Sequence, residues 1–161
     1  MRTHDALTRF AAVAAVLTLA LAAEPCRAED DPRASAKKEL ARFQGAWTLS
    51  AMESEGHALG PGDVAGRTCR YEGDYLTLRS NNEVRRRGVV TIDPTRTPKA
   101  INTWDVDGPF EDKTVQGIYE FSPDGDTLKL CFTSPDGERP AKFTTKEGTG
   151  RLFLVYTRKK P

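Results

Sequence analysis

Three arginines in a row, Arg85, Arg86 and Arg87, sit inside an otherwise apolar run, "EVRRRGVVTID". On an extended chain Arg85 and Arg87 share one face and Arg86 takes the other. If the run is a strand with one face buried, Arg86 points inward and needs an anionic partner, because an unpaired buried guanidinium is costly. Asp105, in "INTWDV", is the expected partner. Together they would give a polar anchor inside an apolar site, suited to an anionic headgroup. Read the other way, Arg85 and Arg87 are solvated and Arg86 simply pairs with a carboxylate. Tyr119 and Phe132, on apolar strand faces further along, complete the candidate ligand-contacting set.

Other chemistry has little material. The chain has two histidines, His4 near the start and His57 in a glycine-rich loop. One loop histidine cannot build a multi-histidine zinc site, and a solvated role is expected for it. Cys69 and Cys131 are not in metal-ligand spacing. Cys69 alternates in phase with Tyr71, whereas Cys131 alternates against Leu128, Leu130 and Phe132. The two thiols are thus expected on different strand faces, which argues against a disulfide. There is no G-x-S-x-G elbow. "SPDGD" and "SPDGE" lack the further ligands of a calcium loop and read as tight turns. No enzyme, metal site or cofactor is expected.

The chain's start reads as an export signal. Phe10 to Ala23 is an apolar or small-residue run broken only by Thr18. It is short for a transmembrane helix and has the size of a signal-peptide core. Cleavage is expected after Ala28, or alternatively after Ala23, so residues 1–28 are read as a signal peptide and the protein as periplasmic or secreted, with no transmembrane segment after cleavage. An uncleaved anchor and a lipoprotein acylated at Cys26 are the other readings. The full chain carries 24 basic and 23 acidic residues, and removing residues 1–28 leaves that balance intact. A neutral, mixed-charge chain gives no electrostatic case for nucleic acid. The remainder suits one domain, expected to be a monomer.

Residues 29–37 form a polar leader, and residues 38–161 the domain. Asp31-Pro32 can open a short helix, with Ala36, Leu40 and Phe43 on one face. It should end near Gln44-Gly45. From Gly45 the texture changes to short runs of period two between turn residues. Eight such runs follow, with no crossover helix between them, so the strands are antiparallel. The fold class is all-β: an eight-stranded antiparallel up-and-down barrel with a short N-terminal helix. Alternation turns Trp47, Leu49 and Ala51 inward, then Leu76, Leu78, Val84, Val90 and Ile92. Val115, Tyr119 and Phe121 continue the set, followed by Leu128, Leu130, Phe132, Leu152, Leu154 and Tyr156. A barrel of this size is either filled by such side chains or holds one small ligand.

Gly45-Ala46-Trp47, after a short helix and at the first strand, resembles the G-x-W signature of lipocalins. The stretches "LARFQGAWTLSAMESEG", "GIYEFSPDGDTLKLCF", "GERPAKF" and "LFLVYTR" are similar, in that order, to a lipocalin-like domain family of unknown function abundant in planctomycete bacteria. The resemblance covers about residues 38 to 160. It implies a barrel and extracytoplasmic residence, and brings no activity, ligand or catalytic residue. Thr103 and Asp105 depart from the family pattern, standing where apolar residues are usual. The resemblance also implies that Gly45 and Trp47 close one end of the barrel. Arg158, in phase with Leu154 and Tyr156, is expected to lie over the indole there. Two functions stay open: binding of a small apolar or amphipathic ligand, with the mouth near residues 55–67, or a packed barrel acting as an interaction or envelope module.

Overall fold

Asp31 caps the first helix, its carboxylate accepting from the Arg33 amide at 2.9 Å, and proline occupies the first turn. Asp–Pro is a helix start because proline has no amide to leave unpaired there. This helix, α1, runs Pro32–Ala41, so it begins within the segment read as a polar leader. The computed structural model describes residues 31–160; the expected signal peptide lies outside the described residues.

The chain then turns at Gly45, whose φ of 102° is closed to most side chains. It enters β1 (Gly45–Ser54), followed by the two-residue β2 (His57–Ala58) and the single-turn α2 (Pro61–Val64). Next come β3 (Arg67–Glu72), β4 (Tyr75–Ser80), β5 (Glu83–Asp93) and β6 (Ala100–Asp107). β7 (Thr114–Phe121), β8 (Thr127–Phe132) and β9 (Leu152–Arg158) complete the set. Each strand from β3 onward pairs antiparallel with the next, and β1 pairs with both β3 and β9. The result is a closed eight-strand antiparallel up-and-down barrel, with β2 attached beside β1. Asn81 and Asn82 make the β4–β5 turn with φ of 52° and 66°, the left-handed pair that the right-handed strand twist favours in a tight hairpin.

The period-two pattern places most inward residues as expected, but two bulges break it. Between Leu49 and Ala51 the β1–β9 register shifts by one residue. Ala51 is therefore exposed, and Met52 replaces it on the inner face opposite Leu154. A second shift, between Leu78 and Arg79, pairs Leu78 with Arg86 but Arg79 with Val84. Val84, expected inward, pairs across from exposed Arg79, while Arg85 becomes the extra residue. A bulge of this kind re-aims the side chains around it.

β6 is inverted relative to its neighbours in polarity. Ile101, Thr103 and Asp105 are fully or almost fully buried on the inner face, while Trp104 and Val106 are exposed. Cross-strand pairing sets this face: Thr103 lies opposite Val90 and Val115, and Asp105 opposite Gly88. The segment between β8 and β9 packs on the outer surface of β6 to β9. There Arg139 donates to the carbonyl oxygens of Ile101 and Gly117 and to Asn102 Oδ1. Ile118 and Cys131 are buried beneath it, and the segment's own Pro140 is buried against the barrel.

Candidate functional site

One end of the barrel is plugged. Phe43, carried in by the turn after α1, is fully buried and packs edge-on against Tyr71, Tyr119 and Phe121, with ring centroids 4.8 to 5.2 Å away. Trp47 is fully buried beside it, and its indole Nε1 donates to the Phe43 carbonyl at 2.7 Å. Arg158, paired directly across from Trp47, lays its guanidinium 4.1 Å from the indole centroid. The same guanidinium donates to the Gln44 and Arg42 carbonyls at 2.9 and 2.7 Å, so it also ties down the end of α1. A Cβ at Gly45 would sit 4.0 Å from Arg158 Nη1, ordinary contact, so the positive φ rather than space is what selects glycine there.

Beyond this plug the barrel is hollow. A cavity of about 350 Å³ lies between the plug and the far loops, walled by Leu49, Leu76, Val115, Leu130, Phe132 and Leu154, among others. Arg67, Ser80, Phe110, Ser134 and Gly150 carry the lining to the mouth, which places it beside the loop before β3. Cys69 faces the cavity, and burial raises its thiol pKa so that it stays protonated. Tyr71 and Tyr156 line it as well, and burial holds both phenols well above their ordinary pKa as neutral donors. Thr103 lines it too, and its Oγ1 is buried with no hydrogen-bond partner among the described residues.

Arg86 and Asp105 meet at the cavity wall. Arg86 Nη2 donates to Asp105 Oδ1 at 2.6 Å, and Nε faces Oδ2. The carboxylate is 0% exposed and the guanidinium 16%. Burial lifts the Asp105 carboxyl above its usual pKa, with the Arg86 contact pulling the other way. The Phe110 ring lies 5.7 Å from the guanidinium carbon. Gly88 makes the arrangement possible: a Cβ there would fall 2.8 Å from Thr103 Cγ2 and 3.2 Å from Asp105 Oδ1. Gly117 does the same for Phe132, whose ring would be 2.5 Å from an added Cβ.

Of the residues singled out from the sequence, Arg86 and Phe132 line the cavity, and Asp105 holds Arg86 from behind. Tyr119 does not reach it. Its ring belongs to the plug, with Phe43 and Phe121, because β7 crosses from cavity to plug between Val115 and Tyr119. Gly45, Trp47 and Arg158 come together as a barrel closure. His57 is exposed, with Nδ1 2.9 Å from the Glu55 carbonyl, and lies off the cavity. Asp124 is occupied within its own turn by Ser122 Oγ and the Asp126 amide, contacts that hold its pKa low. Among the described residues both cysteines are free, Cys69 inside and Cys131 under the β8–β9 segment.

Sequence reading missed Arg67, Tyr71 and Phe110 as cavity residues. Tyr71 alternates in phase with Cys69, which was a usable signal. Phe110 lies in a loop, where alternation says nothing. Compared with protein-family models, with curated proteins and with solved structures, the chain matches none of them.

Proposed function

We propose that this protein is an exported lipocalin-like domain that binds one small apolar or amphipathic molecule inside its barrel, without catalysing a reaction. The observation that carries the reading is the cavity itself: about 350 Å³, walled mainly by aliphatic and aromatic side chains. That size falls at the lower end of small-molecule sites, which combine apolar walls with a few placed polar groups. The unpartnered Thr103 hydroxyl supports it, because a buried hydroxyl without a partner costs stability that a ligand contact would recover. Burial of the ligand's apolar surface supplies the affinity, at about 25 cal/mol per Å² before the cost of association.

A fluorescent fatty-acid analogue should gain emission on binding and be displaced by unlabelled lipid. Native mass spectrometry of protein purified from its own source should show a co-purifying small molecule. A panel of apolar probes with no saturable binding at micromolar concentration would favour the other reading, a barrel acting as an interaction or envelope module.

A further inference from the structure

The cavity's charged lining is of one sign. Among the described residues four arginines contribute to its lining, Arg67, Arg79, Arg85 and Arg86, and no carboxylate does. All four come from three consecutive strands, β3 to β5, with Arg67 and Arg86 turned inward and Arg79 and Arg85 exposed. Two are neutralised from outside the cavity: Arg86 by Asp105, and Arg85 by Glu83 at 2.7 Å. Arg67 and Arg79 have no carboxylate within ion-pair distance among the described residues. Arg79 donates to the Asn82 carbonyl at 3.0 Å. Arg67 is half-buried, and its guanidinium's one hydrogen-bond contact is with Met52 Sδ at 3.9 Å. The two stand on adjacent strands but on opposite faces: Arg67 pairs with Ser80 on the inner face, whereas exposed Arg79 pairs with Thr68 on the outer face, so of the two Arg67 alone turns into the mouth. Across the mouth the wall is apolar, with Phe110, Phe132 and Leu152.

From the inward, anion-free guanidinium of Arg67 we propose that the ligand is a single-chain anionic amphiphile, its tail in the barrel and its anionic head at the mouth against Arg67. The inference rests on the ligand-binding reading above and adds the ligand's class and orientation. A half-buried guanidinium lacking an anion is poorly solvated, and a carboxylate or phosphate head restores what it lost. Low-dielectric walls carrying one sign of charge focus the field at the mouth, drawing in anions rather than cations. The buried Arg86–Asp105 pair is already neutral and leaves Arg67 as the uncompensated charge, while the tail lies against the aliphatic and aromatic walls below, where the Thr103 and tyrosine hydroxyls add no charge.

The test compares dodecanoate, dodecyl phosphate, dodecanol and dodecyltrimethylammonium in displacing one fluorescent probe at low ionic strength. Both anions should displace it at concentrations at least about tenfold lower than the alcohol, the scale of a charge-assisted hydrogen bond. The cation should be weakest, and added salt should narrow the spread. Inorganic phosphate should not displace the probe; if it does so as well as dodecyl phosphate, the site is one for a free anion and the proposal fails. Arg67→Gln should collapse the preference for anions over dodecanol, with dodecanol still displacing the probe saturably, which reports an intact cavity. Arg67→Lys should retain part of the preference. Equal displacement by alcohol and anions in the wild type, or an undiminished preference in Arg67→Gln, would overturn the proposal and leave the cavity reading standing. Failure of every chain compound would overturn both.

Discussion

At the level of single residues, two arginines do opposite jobs with the same group. Arg158 closes the plug: it covers the Trp47 indole and satisfies carbonyls at the end of α1. Trp47→Ala should destabilise by about 3–5 kcal/mol, the cost of emptying a large aromatic site. Arg158→Ala should cost less. A double-mutant cycle in urea should give a coupling of about 0.5–2 kcal/mol, as expected for a cation over an aromatic face. Arg158→Lys should recover only part, since lysine lacks the planar fork. A coupling indistinguishable from zero would leave Trp47 as plain core. Arg86 instead sits beside a buried carboxylate. Asp105→Ala should cost about 3–5 kcal/mol by leaving a buried guanidinium unpaired, whereas replacing both partners with apolar residues of similar volume should cost much less; urea denaturation of the three variants checks this. Glu39 gives a pH signature. Burial opposes its charge, but Lys99 at 2.6 Å and Arg42 outweigh that and hold its pKa below 4.5. The unfolded chain therefore takes up this proton first, and stability falls as pH drops from about 4.5 through the lowered folded value. Glu39→Gln should flatten that part of a stability–pH profile, and an unchanged slope would exclude this pair as its source.

At the level of elements, each strand is legible where alternation runs unbroken and illegible where a bulge interrupts it. All eight barrel strands follow from period-two runs between turn residues, and the asparagine pair at 81–82 and the proline–glycine turns mark the corners. Ala51 and Val84 were placed inward because period two carries no information about an extra residue, and each lies at a register shift. β6 was the least legible strand: its hydropathy alone would put Trp104 inside and Asp105 outside, and only the need of an inward Arg86 for an anion pointed to the opposite face, which pairing with Gly88 and Val115 sets. The inward direction of Arg86 was readable, because three consecutive arginines on a strand cannot all face solvent. Arg67 was not, because it opens a strand after a long loop and nothing in its spacing marks the mouth. The outer cover of the barrel was missed altogether, since a polar loop sequence does not reveal that Arg139 pins it across β6 and β7. Arg139→Ala should release that cover: amide exchange in residues 134–150 should quicken, and Cys131 should become open to a thiol reagent while Cys69 stays protected. Equal protection of both thiols in the variant would show that the cover holds without Arg139. Gly117→Ala should destabilise by about 1–3 kcal/mol, because the new methyl meets the Phe132 ring and the Cys131 carbonyl; a thermal melt checks it.

At the level of the whole molecule, the fold separates stability from the candidate site. Aromatic packing, the helix turn and Arg158 concentrate at the plugged end, and the opposite half is left hollow. A barrel interior this short of atoms forgoes dispersion contacts that a filled core would have, so a hollow held open by a plug, an inverted strand and two clearance glycines suits occupancy. The most direct measurement is the stoichiometry of a fluorescent fatty-acid probe on the wild-type protein and on Val115→Phe, a variant that fills the cavity from its wall while leaving the plug and surface untouched. Saturable binding of one probe per chain in the wild type, lost in Val115→Phe with the far-UV spectrum unchanged, is the predicted result. Binding that persists at full affinity in the filled variant, or no saturable binding to the wild type, would contradict it.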